Sequence, residues 1–392
     1  MKPVRFAAGL LSSGHLLNDF YCNFLPILLP IIMPRLGLSL TLSGLLVMVM
    51  SISSNMLQPV FGYFMDKYNF SKILLPVIPF GACCICAIGF VDTKFMLFIL
   101  IALTGLSVSA FHPLGSTLVA KNTDEQHQGS AISYYIAGGN FGYAAAPMVL
   151  VTFTDAFPLT ALPWLIIPSL ILTALFAKSG LNKISTIKKQ SATAAKPAKL
   201  TKLLTDSSVL KINISMGLRC WTHVSVVTFL PLLLISAGYA KFTSGVLLTI
   251  FLVGCTIGGL IGGRLGDNYS HKKIITISLF LAFFPTYYFF THAGTEPLAL
   301  IALFLSGAFI LAPQPSSLVW AQQMMPSNVA MASGMMMGLS FGLGSIGTAL
   351  TAAFADHIGL SLSLLLTSIP LLIAAVLAIM TPYKKNNQHA YW

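Results

Sequence analysis

The second half of this chain repeats the first, with corresponding motifs about 200 residues apart. The motif Gly62–Asp66, followed by Lys72, returns as Gly263–Asp267, followed by Lys273. Three shorter matches keep nearly the same spacing: Phe24-Leu25-Pro26 with Phe229-Leu230-Pro231, Gly105 and Pro113 with Gly307 and Pro315, and Gly138 and Gly142 with Gly338 and Gly342. In a membrane protein such a duplication favours a transporter, because two similar halves can move about a site held between them.

Composition indicates a membrane protein. Of the 392 residues, 56% are hydrophobic and only 8% are charged, and the mean hydropathy is +0.84. A soluble domain usually has about a quarter charged residues. Each apolar run is close to the ~20 residues that an α-helix needs to cross the hydrocarbon core of a bilayer. The runs predict twelve helices, at 6–33, 42–65, 73–91, 95–119, 130–153, 159–178, 209–236, 243–266, 274–291, 297–320, 329–353 and 359–381.

The repeat and the apolar runs together predict an all-α membrane protein of two pseudo-symmetric six-helix bundles. We expect the first bundle at 1–178, a cytoplasmic linker at 179–208, the second bundle at 209–381 and a cytoplasmic tail at 382–392. The N-terminus resembles the start of a secretory signal, but the apolar run after it is long and contains Asp19. It also lacks a small-residue cleavage site, so an uncleaved first helix is expected.

Positive charge predicts the orientation, because loops rich in Lys and Arg stay cytoplasmic. With both termini inside, Arg35, Lys94 and Lys241 fall in outer loops and Arg219 in a helix, which leaves 18 of the 22 basic residues on the cytoplasmic side. We therefore expect a multi-pass protein of the inner (cytoplasmic) membrane with both termini cytoplasmic. The net charge of +12 then belongs mainly to the inner surface and its anionic lipid headgroups. No basic and aromatic array indicates a nucleic-acid partner.

The repeated loop motif after predicted helices 2 and 8 resembles that of the major facilitator superfamily. A narrower resemblance is to fosmidomycin-resistance-type exporters, and it rests on His15-Leu16-Leu17-Asn18-Asp19, Leu57-Gln58-Pro59-Val60-Phe61-Gly62-Tyr63, Phe111-His112-Pro113, Gly138-Gly139-Asn140-Phe141-Gly142 and Ala355-Asp356-His357. The resemblance implies the major facilitator fold, in which helices 1, 4, 7 and 10 line a central cavity. It also implies an antiporter that exports drugs.

Glycines in predicted helix 5 partly match the pattern of antiporters in that superfamily. Gly129, Gly138 and Gly142 hold the expected spacing, but Tyr143 stands where the pattern has a proline. A helix without side chains on one face lets a neighbour slide against it, which favours exchange. Plain close packing of two helices is an equally open interpretation.

Few ionisable side chains fall inside the predicted helices, where each costs at least ~2.5–3.5 kcal/mol to insert and tends to serve transport. His15 and Asp19 are four residues apart and share one face of helix 1. Burial disfavours the Asp19 carboxylate whereas a nearby cation favours it, so its proton occupancy can change as a cavity opens to either side. We interpret His15 and Asp19 as the proton-coupling pair. The alternative is a permanently satisfied polar pair that fixes helix packing.

Arg219 and His223 repeat this spacing in predicted helix 7. Arginine keeps its charge, and its planar fork suits a carboxylate or phosphonate, so we interpret Arg219 as an anion clamp. The alternative is a lasting salt bridge to Asp19. His112 in helix 4 and Gln314 in helix 10 complete the predicted substrate-binding set with Arg219 and His223, although a packed histidine is an equally open interpretation of His112.

Two further acids lie at the cytoplasmic ends of predicted helices 2 and 8. Asp66 with Lys72, and Asp267 with Lys273, occupy corresponding positions of the repeated motif. Carboxylates there can pair with basic side chains or with helix N-termini. We interpret all four residues as gating residues that close the inner side.

These features predict a proton-coupled secondary active transporter that exports a small anionic organic molecule by alternating access. The alternative is a proton-coupled importer of an anionic metabolite or siderophore-like polycarboxylate. An enzyme is not expected, because no paired nucleophile and base is apparent. Neither a metal nor another cofactor is expected, and the phosphate-binding loop of nucleotide-driven pumps does not occur. We expect a monomer whose partners are its substrate, protons and membrane lipids.

Overall fold

The computed structural model describes residues 2–38, 40–187 and 207–382, and this part of the chain is helical without a β-strand. It therefore confirms the all-α prediction. Most of the predicted linker at 179–208, and all but the first residue of the predicted tail at 382–392, lie outside the described residues.

Twelve membrane helices, α1 to α12, follow one another as the apolar runs predicted, and the predicted bounds are correct to within a few residues. Ten described segments are long and apolar enough to cross a membrane; of the other two spans, α1 has a turn at Asn23 and α3 is short. The bounds are Lys2–Cys22 with Phe24–Leu36 for α1, Leu40–Ser51, Ile52–Met56 and Gln58–Lys67 for α2, Val77–Cys86 with Ala87–Phe90 for α3, Lys94–Lys121 for α4, Gln128–Ala156 for α5, Leu159–Ile166 with Ile167–Ser179 for α6, Ser207–Ser236 for α7, Lys241–Asn268 for α8, His271–Thr291 for α9, Pro297–Leu311 with Pro313–Met324 for α10, Val329–Gly334, Met335–Leu339 and Ser340–Ile358 for α11, and Leu360–Leu366 with Ile369–Met380 for α12.

Several of these helices depart from regular α geometry. α2 and α11 each contain one π-helical turn, at Ile52–Met56 and at Met335–Leu339, and such turns often mark functional positions. α10 is interrupted at Ala312, because Pro313 cannot donate the backbone hydrogen bond that would continue the first segment. α4, in contrast, continues through Pro113.

The chain forms two compact units. The first contains Met1–Asp124, Tyr134–Pro197 and Met325–Leu339, and the second contains Glu125–Ser133, Ala198–Met324 and Ser340–Trp392. The units thus follow the two halves of the sequence except at the starts of α5 and α11. Each of these starts belongs to the unit that is built mainly from the opposite half.

Glycines allow two pairs of helices to approach closely. In the first unit Gly142 of α5 meets the backbone of Leu16 in α1, and in the second unit Gly347 of α11 meets the ring of Trp221 in α7. A β-carbon at either glycine would collide with these atoms. Close packing is therefore present, whereas sliding between the helices stays a prediction.

Candidate functional site

A cluster of polar side chains lies inside the first unit, on α1 and α4. The Asp19 carboxylate contacts two imidazoles, because Oδ2 lies 3.2 Å from His15 Nε2 and Oδ1 lies 3.2 Å from His112 Nε2. The Asn18 side-chain amide donates to Asp19 Oδ1 over 3.1 Å and contacts His112 Nε2 at 3.2 Å. Only Asp19 is appreciably accessible, with 19% of its side chain exposed. The predicted pair His15 and Asp19 is thus in contact, and His112, which the sequence placed with the substrate, joins it.

Helix α5 holds this cluster in position. The Tyr135 carbonyl oxygen lies 2.7 Å from His15 Nδ1, and the Tyr135 ring stacks on the imidazole with centroids 4.2 Å apart. Gly139, one turn further along α5, leaves room for both partners. A β-carbon there would lie 2.5 Å from His15 Nε2 and 2.6 Å from Asp19 Oδ2.

The contact between His15 and Asp19 requires a proton or another small cation. A carbonyl oxygen only accepts hydrogen bonds, so the hydrogen in the bond to Tyr135 is carried by His15 Nδ1. In a neutral ring Nε2 then presents a lone pair to Asp19 Oδ2, which also presents lone pairs when the acid is ionised. A hydrogen on either atom turns this repulsive contact into a hydrogen bond. Each of His15, Asp19 and His112 also has one nitrogen or oxygen atom that can bind a cation. These three atoms lie within 4.8 Å of one another, which suits a shared proton or other small cation.

Arg219 of α7 is a buried cation inside the second unit, with only 1% of its surface exposed. Its Nη2 donates to Cys220 Sγ over 2.9 Å, and its Nη1 has one long contact of 3.5 Å with the Ile310 carbonyl oxygen. Nε has no acceptor, and no carboxylate in the described part of this unit forms an ion pair with the guanidinium. Because a guanidinium has five N–H donors, most of its hydrogen-bonding capacity is unused among the described residues.

Aromatic rings lie close to this cation and to its neighbour His223. The Phe341 ring centre lies 5.6 Å from Arg219 Cζ, within the range of a cation–π contact. The His223 imidazole lies one turn from Arg219, with ring centroids 5.9 Å from Phe251 and 6.2 Å from Phe341. Gln314 is buried near the start of the second segment of α10, and no hydrogen bond joins it to Arg219 or His223 in the described chain.

Two carboxylates bind the N-termini of helices. Asp66, at the end of α2, accepts hydrogen bonds of 3.0 and 2.9 Å from the consecutive backbone amides of Ala330–Met331 in the first turn of α11. Asp267, at the end of α8, accepts bonds of 2.7 and 3.0 Å from the amides of Gly129–Ser130 in the first turn of α5, and a further one from the Ser130 hydroxyl. The first amides of a helix lack internal partners and carry partial positive charge, so a carboxylate is favourable there.

The lysines that the sequence grouped with these acids lie in the element that follows each acid along the chain. Lys72 is exposed on the 3-10 turn Ser71–Leu74. Lys273 is exposed in the first turn of α9, where its backbone amide donates to Ser270 Oγ over 3.3 Å.

Sequence reasoning missed several residues that shape these sites. Asn18 stood inside the quoted motif around Asp19, and Gly139 stood inside a glycine-rich motif, so both left a signal. The sequence carries no signal for the contact of Tyr135 with His15, because any residue supplies a backbone carbonyl. The sequence carries no signal for Phe341 either, because one phenylalanine among 27 in an apolar chain is not distinctive.

The sequence matches the family model of the Major Facilitator Superfamily over residues 11–248 and 212–390. These two matches together span nearly the whole chain. The chain belongs to the major facilitator superfamily. It is therefore a multi-pass membrane transporter for a small molecule and not an enzyme. The resemblance inferred from the loop motif is confirmed.

Relatives of known name match most of the chain, among them the following two. The fosmidomycin resistance protein of Escherichia coli (strain K12) is 26% identical over an alignment of 392 positions, which covers 97% of this chain and 93% of that protein. The probable 4-methylmuconolactone transporter of Cupriavidus pinatubonensis (strain JMP 134 / LMG 1197) is 26% identical over 367 residues, which cover 89% and 83%. The crystal structure of FucP, a major facilitator transporter in the outward conformation, matches with a TM-score of 0.77 and 14% identity, covering 97% of this chain and 100% of that one. This last likeness shows the fold alone.

Proposed function

We propose that this transporter is coupled to protons and exports a small anionic organic molecule across the inner membrane by alternating access. The observation that carries the proposal is Arg219, a guanidinium that is 1% exposed and forms no ion pair with a carboxylate in the described part of its unit. The contact between His15 and Asp19 supports the proton as the coupling ion. The name of the relative from Escherichia coli, a resistance protein, supports export.

An anionic cargo follows from the cost of leaving Arg219 unpaired. A buried charge without a partner is unfavourable, so the guanidinium needs a counter-ion during the transport cycle. Its fork forms two parallel hydrogen bonds with a carboxylate or phosphonate. His223, one turn away, has a buried Nδ1 without a partner among the described residues and offers a further polar contact. We assign Arg219 and His223 to the anion, with Gln314 as an additional polar group on α10.

The proton site is the pair of His15 Nε2 and Asp19 Oδ2. The bond from His15 Nδ1 to Tyr135 fixes the tautomer, so a bound proton lies between these two atoms. His112 lies against the other oxygen of Asp19, and for that reason we assign His112 to the proton site and not to the substrate. Binding and release of this proton change the charge of the cluster by one, which is the change that a coupled carrier needs.

The acids that bind helix N-termini act in gating. Asp66 and Asp267 each hold the first turn of a helix from the opposite half of the sequence, and opening of the cytoplasmic side would release both. A carboxylate at a helix N-terminus contributes about 0.3–2 kcal/mol, which is small enough to be broken in each cycle. Lys72 and Lys273 each follow one of these acids by six residues in the chain, and we assign them to the same gate.

Energetics also favour export. Moving negative charge out of a negative interior gains ~2.3 kcal/mol per charge for each 100 mV, and an inward proton adds a term of similar size. A growth assay identifies the cargo. It compares cells with and without the protein on a panel of fosmidomycin, other anionic antibiotics and small carboxylates. Lower intracellular accumulation when the protein is present indicates export. Higher accumulation would instead favour the importer.

Asp19→Asn tests the proton site with that cargo. Asparagine keeps the size of the side chain but cannot take up the proton, so we expect concentrative transport in proteoliposomes under an imposed pH difference to be lost. Exchange of cargo without a gradient should be retained. The melting temperature should stay close to that of the wild type. Asp155→Asn, at an exposed position near the end of α5, is the matched control and should transport as the wild type does. If Asp19→Asn still concentrates the cargo, or if a metal chelator abolishes transport by the wild type, proton coupling at Asp19 is wrong.

Arg219→Lys tests the anion clamp separately. An ammonium keeps the charge but cannot form the bidentate pair, so binding of the identified cargo should weaken by roughly 1.5–3 kcal/mol, about ten- to a hundredfold. Binding to purified wild type, Arg219→Lys and Arg219→Gln at fixed pH measures this, with folding checked by melting. Equal affinity in all three would remove Arg219 from the binding site.

A further inference from the structure

We propose that the Arg219 site selects anions whose carboxylate is attached to a flat, unsaturated group, and that Phe341 is the residue that determines this specificity. The inference rests on the proposed function, because it names the substrate class of the same anion site. It follows from the aromatic side chains of the second unit that adjoin the guanidinium.

Three rings lie close to one another near the Arg219 guanidinium. Phe341 is half-buried and lies over the guanidinium at 5.6 Å. The imidazole of His223 stands edge-on to Phe341, with an angle of 87° between the ring planes, and is tilted by 31° to Phe251. Both Arg219 Nε and His223 Nδ1 are buried without a partner among the described residues. Two polar atoms without partners among the described residues therefore belong to side chains that contact aromatic rings.

The shape of the ligand follows from the geometry of the guanidinium. A carboxylate held by the arginine fork lies in the plane of the guanidinium. An unsaturated group conjugated to that carboxylate continues in the same plane, whereas a saturated ring is puckered and projects hydrogens on both sides. Flat rings also gain edge-to-face or offset contacts with Phe341 and His223. A contact of this kind is worth roughly a two- to tenfold gain in affinity beyond that of equal apolar area.

Benzoate and cyclohexanecarboxylate test the proposal, because they share a charge and a six-membered ring and differ in flatness. Equilibrium binding of radiolabelled benzoate to the purified full-length protein, with cyclohexanecarboxylate as competitor, gives the ratio of their affinities. We expect wild type and Phe341→Tyr to bind benzoate roughly two- to tenfold more tightly than the saturated acid. Phe341→Leu should bring the ratio close to one and still bind both acids. Phe280→Leu, an exposed position on α9, is the matched control and should keep the wild-type ratio.

The outcomes separate this inference from the proposed function. A ratio of one in the wild type, an unchanged ratio in Phe341→Leu, or no measurable binding of either acid rejects the specificity assigned to Phe341. Arg219→Gln should weaken binding of both acids at least tenfold. If both acids bind Arg219→Gln as tightly as wild type, the anion site itself is wrong and the inference fails with it. Thermal melting shows that each variant is folded.

Discussion

Gly139→Ala is expected to disrupt the contact between His15 and Asp19 through one added methyl group. The new β-carbon would lie 2.5 Å from His15 Nε2 and 2.6 Å from Asp19 Oδ2, whereas ordinary contacts of this type begin at 3.4 Å. The imidazole must therefore move by about 0.9 Å, or the helices must separate. Either movement also strains the bond of 2.7 Å between His15 Nδ1 and the Tyr135 carbonyl oxygen.

The expected cost is the sum of two effects, part of which a third offsets. Overfilling a packed site costs about 1–3 kcal/mol, and loss of one buried hydrogen bond adds about 1 kcal/mol. Alanine is also favoured over glycine inside a helix by about 1 kcal/mol, so we expect Gly139→Ala to lower the free energy of unfolding by about 1–3 kcal/mol. Gly9→Ala in α1 is the matched control, because no atom lies within 4 Å of its new β-carbon. Replacing that helical glycine should be neutral or stabilise by up to about 1 kcal/mol.

A double-mutant cycle shows whether the cost arises at the proton site. Thermal and denaturant unfolding in detergent would be compared for Gly139→Ala, His15→Ala and the double variant. If the methyl group acts against the imidazole, most of the cost disappears once His15 is alanine, since the two residues are in contact. An equal cost with and without His15, or no difference from Gly9→Ala, would refute the reasoning. Concentrative transport should be lost in Gly139→Ala even where the protein remains folded.

Two further predictions concern orientation and gating. Lys188 and Lys241 would each be replaced by a single cysteine in a cysteine-free background and treated with an impermeant reagent in intact cells. The cysteine at position 241 should be labelled and the one at position 188 protected, because the basic linker is expected inside. Asp66→Asn should weaken the contact with the first turn of α11 by about 0.3–2 kcal/mol, because a neutral amide interacts less with the helix dipole. A cysteine in place of the buried Ser333 in that segment should then be alkylated faster.

Each of these predictions has an outcome that contradicts it. Preferential labelling at Lys188 would reverse the orientation of the whole chain. For the gate, Asp155→Asn is the control and should leave the alkylation of Ser333→Cys unchanged. Equal rates in the Asp66→Asn and control proteins would mean that Asp66 does not hold the inner side closed.

The membrane fold was predictable from the sequence because its main determinant is local. A helix that crosses a bilayer must satisfy its own backbone hydrogen bonds, so the length of an apolar run sets its bounds. The internal repeat then divided the twelve helices into two sets of six. The π turns of α2 and α11 were not predictable, because the same composition suits a regular helix and only packing decides between the two.

The candidate sites were predictable in part. His15 and Asp19 shared a helix, and their spacing alone brought them together. Their contact with His112 depends on how α1 packs against α4, which lies almost 100 residues away in sequence. For the same reason the sequence placed His112 with the substrate, whereas the packing of the helices put its Nε2 against Asp19.

By itself the sequence determined which ionisable residues enter or border the apolar helices: Arg219, Asp19 and two acids at helix ends, each unusual in so apolar a chain. Tertiary structure alone decided what surrounds them. The carbonyl oxygen of Tyr135, the gap at Gly139 and the ring of Phe341 act through position, and position is set by contacts between helices distant in the chain. The physical reason is that insertion into lipid depends on local hydrophobicity, whereas hydrogen bonding and charge pairing depend on distances that only the packed helices fix.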